Sequence, residues 1–137
     1  MDVLRTLIVF AGVGQLALVI ASLAIPAVLG WRAETAKLRP LTRQVFWTYA
    51  AYIWAINLCF GLLSALAADR LLDGTPLARL VCGFIATYWI ARLAVQFLWF
   101  DRTDLPSGWL PAVGEVGLVA LFAYLAAVYG VCVWWMR

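Results

Sequence analysis

The chain has 137 residues, of which 66% are hydrophobic and 12% are charged, and its formal net charge is +3. A soluble domain carries about 25% charged residues, and a domain of this size cannot bury so much apolar surface. The composition therefore excludes a soluble globular domain and predicts an α-helical integral membrane protein. Because the basic residues lie mostly in loops, they indicate membrane topology, and we expect no nucleic-acid partner.

Several kinds of site are excluded by what the sequence lacks. It contains no histidine, which excludes a histidine general base, a histidine-ligated haem and the common zinc sites. We therefore expect no metal and no cofactor. Cys59, Cys82 and Cys132 lie on three different apolar segments and form no CxxC pair, so we interpret them as packing residues. A Cys82–Cys132 disulfide stays open as an alternative if that side of the membrane is oxidising.

Four apolar segments follow one another along the chain. A helix of about 20 apolar residues crosses a hydrocarbon core of roughly 30 Å, and each segment is long enough to do so. Thr75 and Pro76 mark the start of the third segment, as an N-cap followed by proline at the first helical position. The sequence predicts one domain, an all-α, up-down-up-down bundle of four transmembrane helices. The predicted spans are residues 7–29, 44–68, 80–100 and 111–135.

The first loop, residues 31–43, is the clearly basic one, with Arg32, Lys37, Arg39 and Arg43 against a single Glu34. Positive charge beside the first helix favours the cytoplasmic side. We therefore predict a multi-pass protein of the cell or inner membrane, with this loop cytoplasmic and both termini outside. The side of the first loop holds five basic residues and the other side four, so dual insertion stays open.

The third span carries an arginine, Arg92, eight residues before Phe100 and so about 12 Å inside the membrane. An arginine at this depth costs a few kcal/mol unless it faces a partner, a cavity or a ligand. Glu115 lies six residues after Trp109, about 9 Å deep. Since a short loop joins the third and fourth spans, they are expected to be antiparallel neighbours, which would let Arg92 and Glu115 pair.

These charges belong to a predicted polar and aromatic layer in the half of the membrane nearest the first loop. Three interpretations compete: an ion pair that locks two helices, a pocket where Arg92 meets an anionic or polar head, and an arginine that snorkels to the interface. Gln15 and Asn57 lie nearer the middle of the membrane, where amide side chains more often form hydrogen bonds between helices than contacts with a ligand. The candidate ligand-binding residues are Arg92, Glu115, Gln96, Tyr52, Trp54, Tyr88, Trp89 and Asn57.

Three functional classes follow from these features. The first is a non-enzymatic accessory or structural subunit, or a binder of a lipid or quinone-type amphipathic molecule, in contact with membrane lipids and part of a homo-oligomer or larger complex. A small-residue face on the fourth span suits such helix packing, at Ala120, Ala123, Ala127 and Gly130. The alternative is a small homo-oligomeric transporter or channel that uses Glu115 and Arg92. An enzyme is disfavoured. A single intramembrane carboxylate cannot support paired-carboxylate catalysis, and the sequence offers no clear pair of a nucleophile and a base.

Overall fold

The computed structural model describes residues 1–103 and 106–137, and every regular element in these ranges is a helix. Four stretches are long and apolar enough to cross a membrane: α1 with its continuation α2, then α4, α6 and α7. The prediction of an all-helical chain with four such helices is confirmed. The helices are α1 (Asp2–Ser22), α2 (Ile25–Val28), α3 (Trp31–Ala36), α4 (Pro40–Leu66), α5 (Ala68–Leu71), α6 (Pro76–Leu98) and α7 (Trp109–Trp135).

The start of α6 lies where the sequence predicts it. Thr75 is the N-cap, and its Oγ1 accepts a hydrogen bond from the backbone N–H of Ala78 at 3.1 Å. The Asp73 carboxylate in turn accepts hydrogen bonds from the hydroxyl and the backbone N–H of Thr75, at 2.7 Å and 2.9 Å. These bonds, the side-chain one first, hold the pKa of Asp73 below its usual value. Together they satisfy backbone donors that the first helical turn leaves free.

Glycine allows a close backbone approach between α1 and α4. A Cβ atom added to Gly12 would lie 2.5 Å from the backbone nitrogen of Ala65 and 2.9 Å from the carbonyl oxygen of Gly61. Only glycine fits there, because any side chain would push the two helices apart. At one end of this contact Arg5 bonds to Asp69, just beyond α4, with 2.6 Å between Nε and Oδ1.

The other long helices, α6 and α7, complete the bundle. α1 packs on α4 and also on α7, and α7 packs on α6. α4 and α6 approach each other through long side chains rather than close backbone packing, with the Phe60 ring edge-on to Phe84 at 5.8 Å and to Tyr88 at 5.2 Å. The α4–α6 side is therefore the loosest seam of the bundle.

The small-residue face of α7 does not take part in this packing. α7 buries Phe122, Leu125, Val128, Tyr129 and Cys132 instead. Large side chains fill the centre of the bundle, and the small residues lie on its outer surface, where the described part of the chain leaves them exposed. That outer face consists of Ala120, Ala123, Ala127 and Gly130.

Candidate functional site

A buried hydrogen-bond network joins the four long helices at their centre. The amide of Gln15 on α1 donates to the Tyr129 hydroxyl on α7 at 2.7 Å, and its oxygen accepts from Trp89 Nε1 on α6 at 3.2 Å. Ser64 on α4 shares a 2.5 Å hydrogen bond with the Tyr129 hydroxyl. All four side chains are less than 2% exposed. Each long helix thus contributes one polar side chain to a network that is satisfied internally.

Sequence reasoning identified only part of this network. It treated Gln15 as interhelical glue, which the contacts of Gln15 confirm, and it placed Trp89 in the candidate site. It missed Ser64 and Tyr129. The available signal was that each is a hydrogen-bonding side chain well inside an apolar span, where such groups seek a partner on another helix.

Arg92 lies half-buried among aromatic rings. Its guanidinium carbon is 5.2 Å from the centre of the Phe100 ring and 5.5 Å from that of Phe122 on α7, and Tyr88 lies close to it on the same helix. Cation–π contacts of this kind contribute about 0.5–2 kcal/mol each. The contact with Phe100, beyond the end of α6, directs the charge toward the side of the third loop.

The predicted Arg92–Glu115 pair is wrong. Glu115 accepts a hydrogen bond from the guanidinium of Arg102 in the third loop, and within residues 1–103 and 106–137 no ion pair joins it to Arg92. The prediction placed the loop-side ends of α6 and α7 at one level. Instead Phe122 is the α7 residue beside Arg92, and it lies seven residues beyond Glu115, about 10 Å along the helix.

Asn57 completes a polar line beside Arg92, on the seam between α4 and α6. The Asn57 side chain lies near Tyr88, and Tyr88 in turn lies near Arg92. The Oδ1 atom of Asn57 is buried and has no hydrogen-bond partner among the described residues. Leaving such an acceptor unsatisfied costs about 1–3 kcal/mol. Tyr88 therefore lies between the unsatisfied oxygen acceptor of Asn57 and the Arg92 cation.

The other candidate residues have separate roles. The Trp54 indole donates to the Val19 carbonyl on α1 at 3.2 Å and so ties two helices together. Trp89 is buried and stacks on Phe122 with 5.2 Å between ring centres, about one helical turn before Arg92 on α6. Gln96 is half-buried one turn beyond Arg92, whereas Tyr52 is 67% exposed on the outer face of α4. Arg92, Tyr88 and Asn57 are thus brought together, and Glu115, Tyr52 and Trp54 lie elsewhere.

The cysteines lie outside this layer. Cys82 and Cys132 are free and buried, and Cys59 is free and exposed. Among the described residues, no group of three or more cysteine and carboxylate side chains is placed to hold a metal ion.

Comparison of the chain with protein-family models, with curated proteins and with solved structures found no match. The chemistry of the protein is therefore inferred from its own side chains. These are the hydrogen-bonded network at the centre of the bundle, and the Arg92 cation with the unsatisfied Asn57 oxygen on the α4–α6 seam.

Proposed function

We propose that this chain is a non-enzymatic integral membrane protein, an up-down-up-down bundle of four spans that binds an amphipathic small molecule beside Arg92. The ligand is of lipid or quinone type, and the protein acts as an accessory subunit of the cell or inner membrane. Residues 31–43 lie on the cytoplasmic side and both termini lie outside.

The outer surface of the chain supports membrane insertion. Large apolar side chains are more than half exposed on every long helix, among them Phe10, Ile53, Phe84 and Val116. Apolar surface costs about 25 cal/mol per Å² in water and nothing comparable in hydrocarbon. Trp99 and Trp109, at 82% and 77% exposure, lie where an aromatic belt at the headgroup level is expected.

The environment of Arg92 is the observation that carries the proposed binding site. Glu115, the carboxylate expected to neutralise Arg92, pairs with Arg102 instead. The described groups around the Arg92 guanidinium are aromatic rings. An arginine within a membrane span marks a partner or a ligand. A ligand head that enters the seam, with an acceptor for Arg92 and a donor for the buried Oδ1 atom of Asn57, would satisfy both groups. Its apolar body would lie along the α4–α6 seam, against Phe60 and Phe84.

The test is native mass spectrometry of the protein released from mild detergent. We expect the wild type to retain a lipid-like mass, Arg92→Gln to lose it and Asn57→Leu to retain less of it. Tyr52→Phe is the control, because this ring lies on the outer face of α4 and should not alter retention. Absence of any adduct from the wild type, or a full set of adducts that Arg92→Gln leaves unchanged, would refute the binding site.

A purely structural accessory role is the second candidate, and the Gln15 network favours it. A bundle whose helices are tied together at the centre is suited to holding a fixed shape. The outer small-residue face of α7 offers a surface on which a helix of a second copy or of a larger complex could pack closely. An intact Arg92→Gln variant that retains no less lipid but no longer forms the wild-type oligomer would favour this role.

The transporter or channel alternative has weaker support. It relies on Glu115 and Arg92 as the intramembrane charged site, but Glu115 is paired with the loop residue Arg102 at one end of the bundle. At the centre, Trp89, Tyr129, Ile85 and Leu125 occupy the interior and are less than 2% exposed. Loss of ion-coupled uptake into proteoliposomes on Glu115→Gln, with normal insertion, would restore this alternative.

A further inference from the structure

The first loop folds into a short helix, α3, that is fixed on the start of α4. The Trp31 ring packs edge-on to Phe46 and Trp47, with ring centres 5.1 Å and 6.2 Å apart. Thr35 is only 5% exposed; its hydroxyl donates to the Trp31 carbonyl at 2.7 Å and accepts from Trp47 Nε1 at 3.2 Å. α3 is therefore a positioned element rather than a loose connection.

A pocket of about 270 Å³ lies between α3 and α4. Arg32 extends into its lining from α3 and Arg43 from α4, and the remaining wall is formed by Thr35, Ala36 and Trp47. The acid of this loop, Glu34, is bound to Lys37 at 2.9 Å. Within the described ranges, no salt bridge engages either of the two arginines that line the pocket.

We propose that this pocket binds a phosphate group at the membrane surface. Guanidinium groups bind phosphate oxygens through paired hydrogen bonds, and here each of the two helices contributes one arginine to the pocket. The adjoining tryptophans are typical of the headgroup level, where phospholipid phosphates lie. Basic residues at this level also attract anionic lipids. The bound group is either the headgroup of an anionic phospholipid or a soluble phosphate, and the site is independent of the ligand proposed at Arg92.

The first arm of the test titrates phosphatidylglycerol onto the detergent-solubilised full chain and counts bound lipid by native mass spectrometry. Arg32→Gln and Arg43→Gln should each weaken binding about 10-fold, as expected for loss of a charge-assisted hydrogen bond. Arg39→Gln is the matched control, since it removes the same charge from the same loop but does not line the pocket. It should change binding less than about 2-fold, in keeping with an exposed charge. Arg92→Gln should leave this lipid in place.

The second arm distinguishes the two sources of phosphate by calorimetric titration with inorganic phosphate at constant ionic strength. Lipid binding that depends on Arg32 and Arg43 identifies a phospholipid headgroup. Phosphate binding with that dependence, and no dependence for lipid, identifies a soluble phosphate. The proposal is overturned if Arg39→Gln weakens both ligands as much as Arg43→Gln does, or if neither ligand responds. Arg43→Lys guards against misfolding, because it keeps the charge, loses the paired bonds and should fall between wild type and Arg43→Gln.

Discussion

Removing the Tyr129 hydroxyl tests whether the central network holds the bundle together. Tyr129→Phe keeps the ring and deletes two hydrogen bonds, to Gln15 at 2.7 Å and to Ser64 at 2.5 Å. Side-chain hydrogen bonds inside membrane bundles contribute about 0.6 kcal/mol on average and up to roughly 1.7 kcal/mol. Two such bonds predict that the free energy of unfolding falls by about 1–3 kcal/mol. Tyr52→Phe, on the exposed outer face of α4, should change it by less than about 0.5 kcal/mol.

The assay is reversible unfolding in mixed micelles with increasing sodium dodecyl sulfate, followed by circular dichroism. A double-mutant cycle adds Gln15→Leu alone and together with Tyr129→Phe. If the two side chains depend on each other, the double variant loses about 0.6–1.7 kcal/mol less than the sum of the single losses. Losses that add within about 0.3 kcal/mol would refute a cooperative network.

Three further predictions concern packing, pH and charge. Gly12→Ala should separate α1 from α4 and lower the free energy of unfolding by about 1–3 kcal/mol. Gly117→Ala is the control; a Cβ there meets open space, so the change should be neutral or stabilise by up to about 1 kcal/mol. Similar losses of stability in the two variants would contradict the close approach of α1 and α4. Because hydrogen bonds lower the pKa of Asp73 in the folded chain, their stabilisation is present above the unfolded carboxyl pKa of about 3.9 and is lost as the pH falls through the lower folded value. Hydrogen exchange in the first turn of α6 should therefore speed up on acidification, and an unchanged acid response in Asp73→Asn would argue against this. Arg102→Gln should lower the free energy of unfolding by less than about 1 kcal/mol, because the Arg102 and Glu115 side chains that form this ion pair are partly exposed to solvent. A larger loss would mean that the ion pair, rather than packing, holds the loop end of α7.

Arg92 shows how far the candidate site could be predicted. Its presence in an apolar span, and its unusual cost there, follow from the residue order. Its neighbours do not. Depth counting from Phe100 and Trp109 placed Glu115 within reach of it, but the contacts place Phe122 there. The axial offset of two neighbouring helices depends on side-chain packing and on the path of the loop between them, and neither can be obtained by counting residues.

The glutamine of α1 illustrates the same limit from the other direction. An amide in an apolar span must find hydrogen-bond partners on other helices, so the sequence predicts that Gln15 faces inward. Which partners it finds depends on the rotation of each helix about its own axis. Ser64 and Tyr129 carry the same signal of a polar group inside an apolar span, but the rotation that brings them to Gln15 cannot be obtained from their own segments.

The sequence by itself determined the class of this protein: four apolar helices, their approximate limits and the capped start of α6 at Thr75. These properties follow from hydrophobicity and local hydrogen bonding, which act over a few residues. Only the tertiary structure decided which side chains meet: Glu115 with Arg102, Asn57 with Tyr88, and a pocket between Arg32 and Arg43. Such contacts depend on how helices rotate and slide against one another, and the apolar pattern does not fix that when most faces of a helix are apolar.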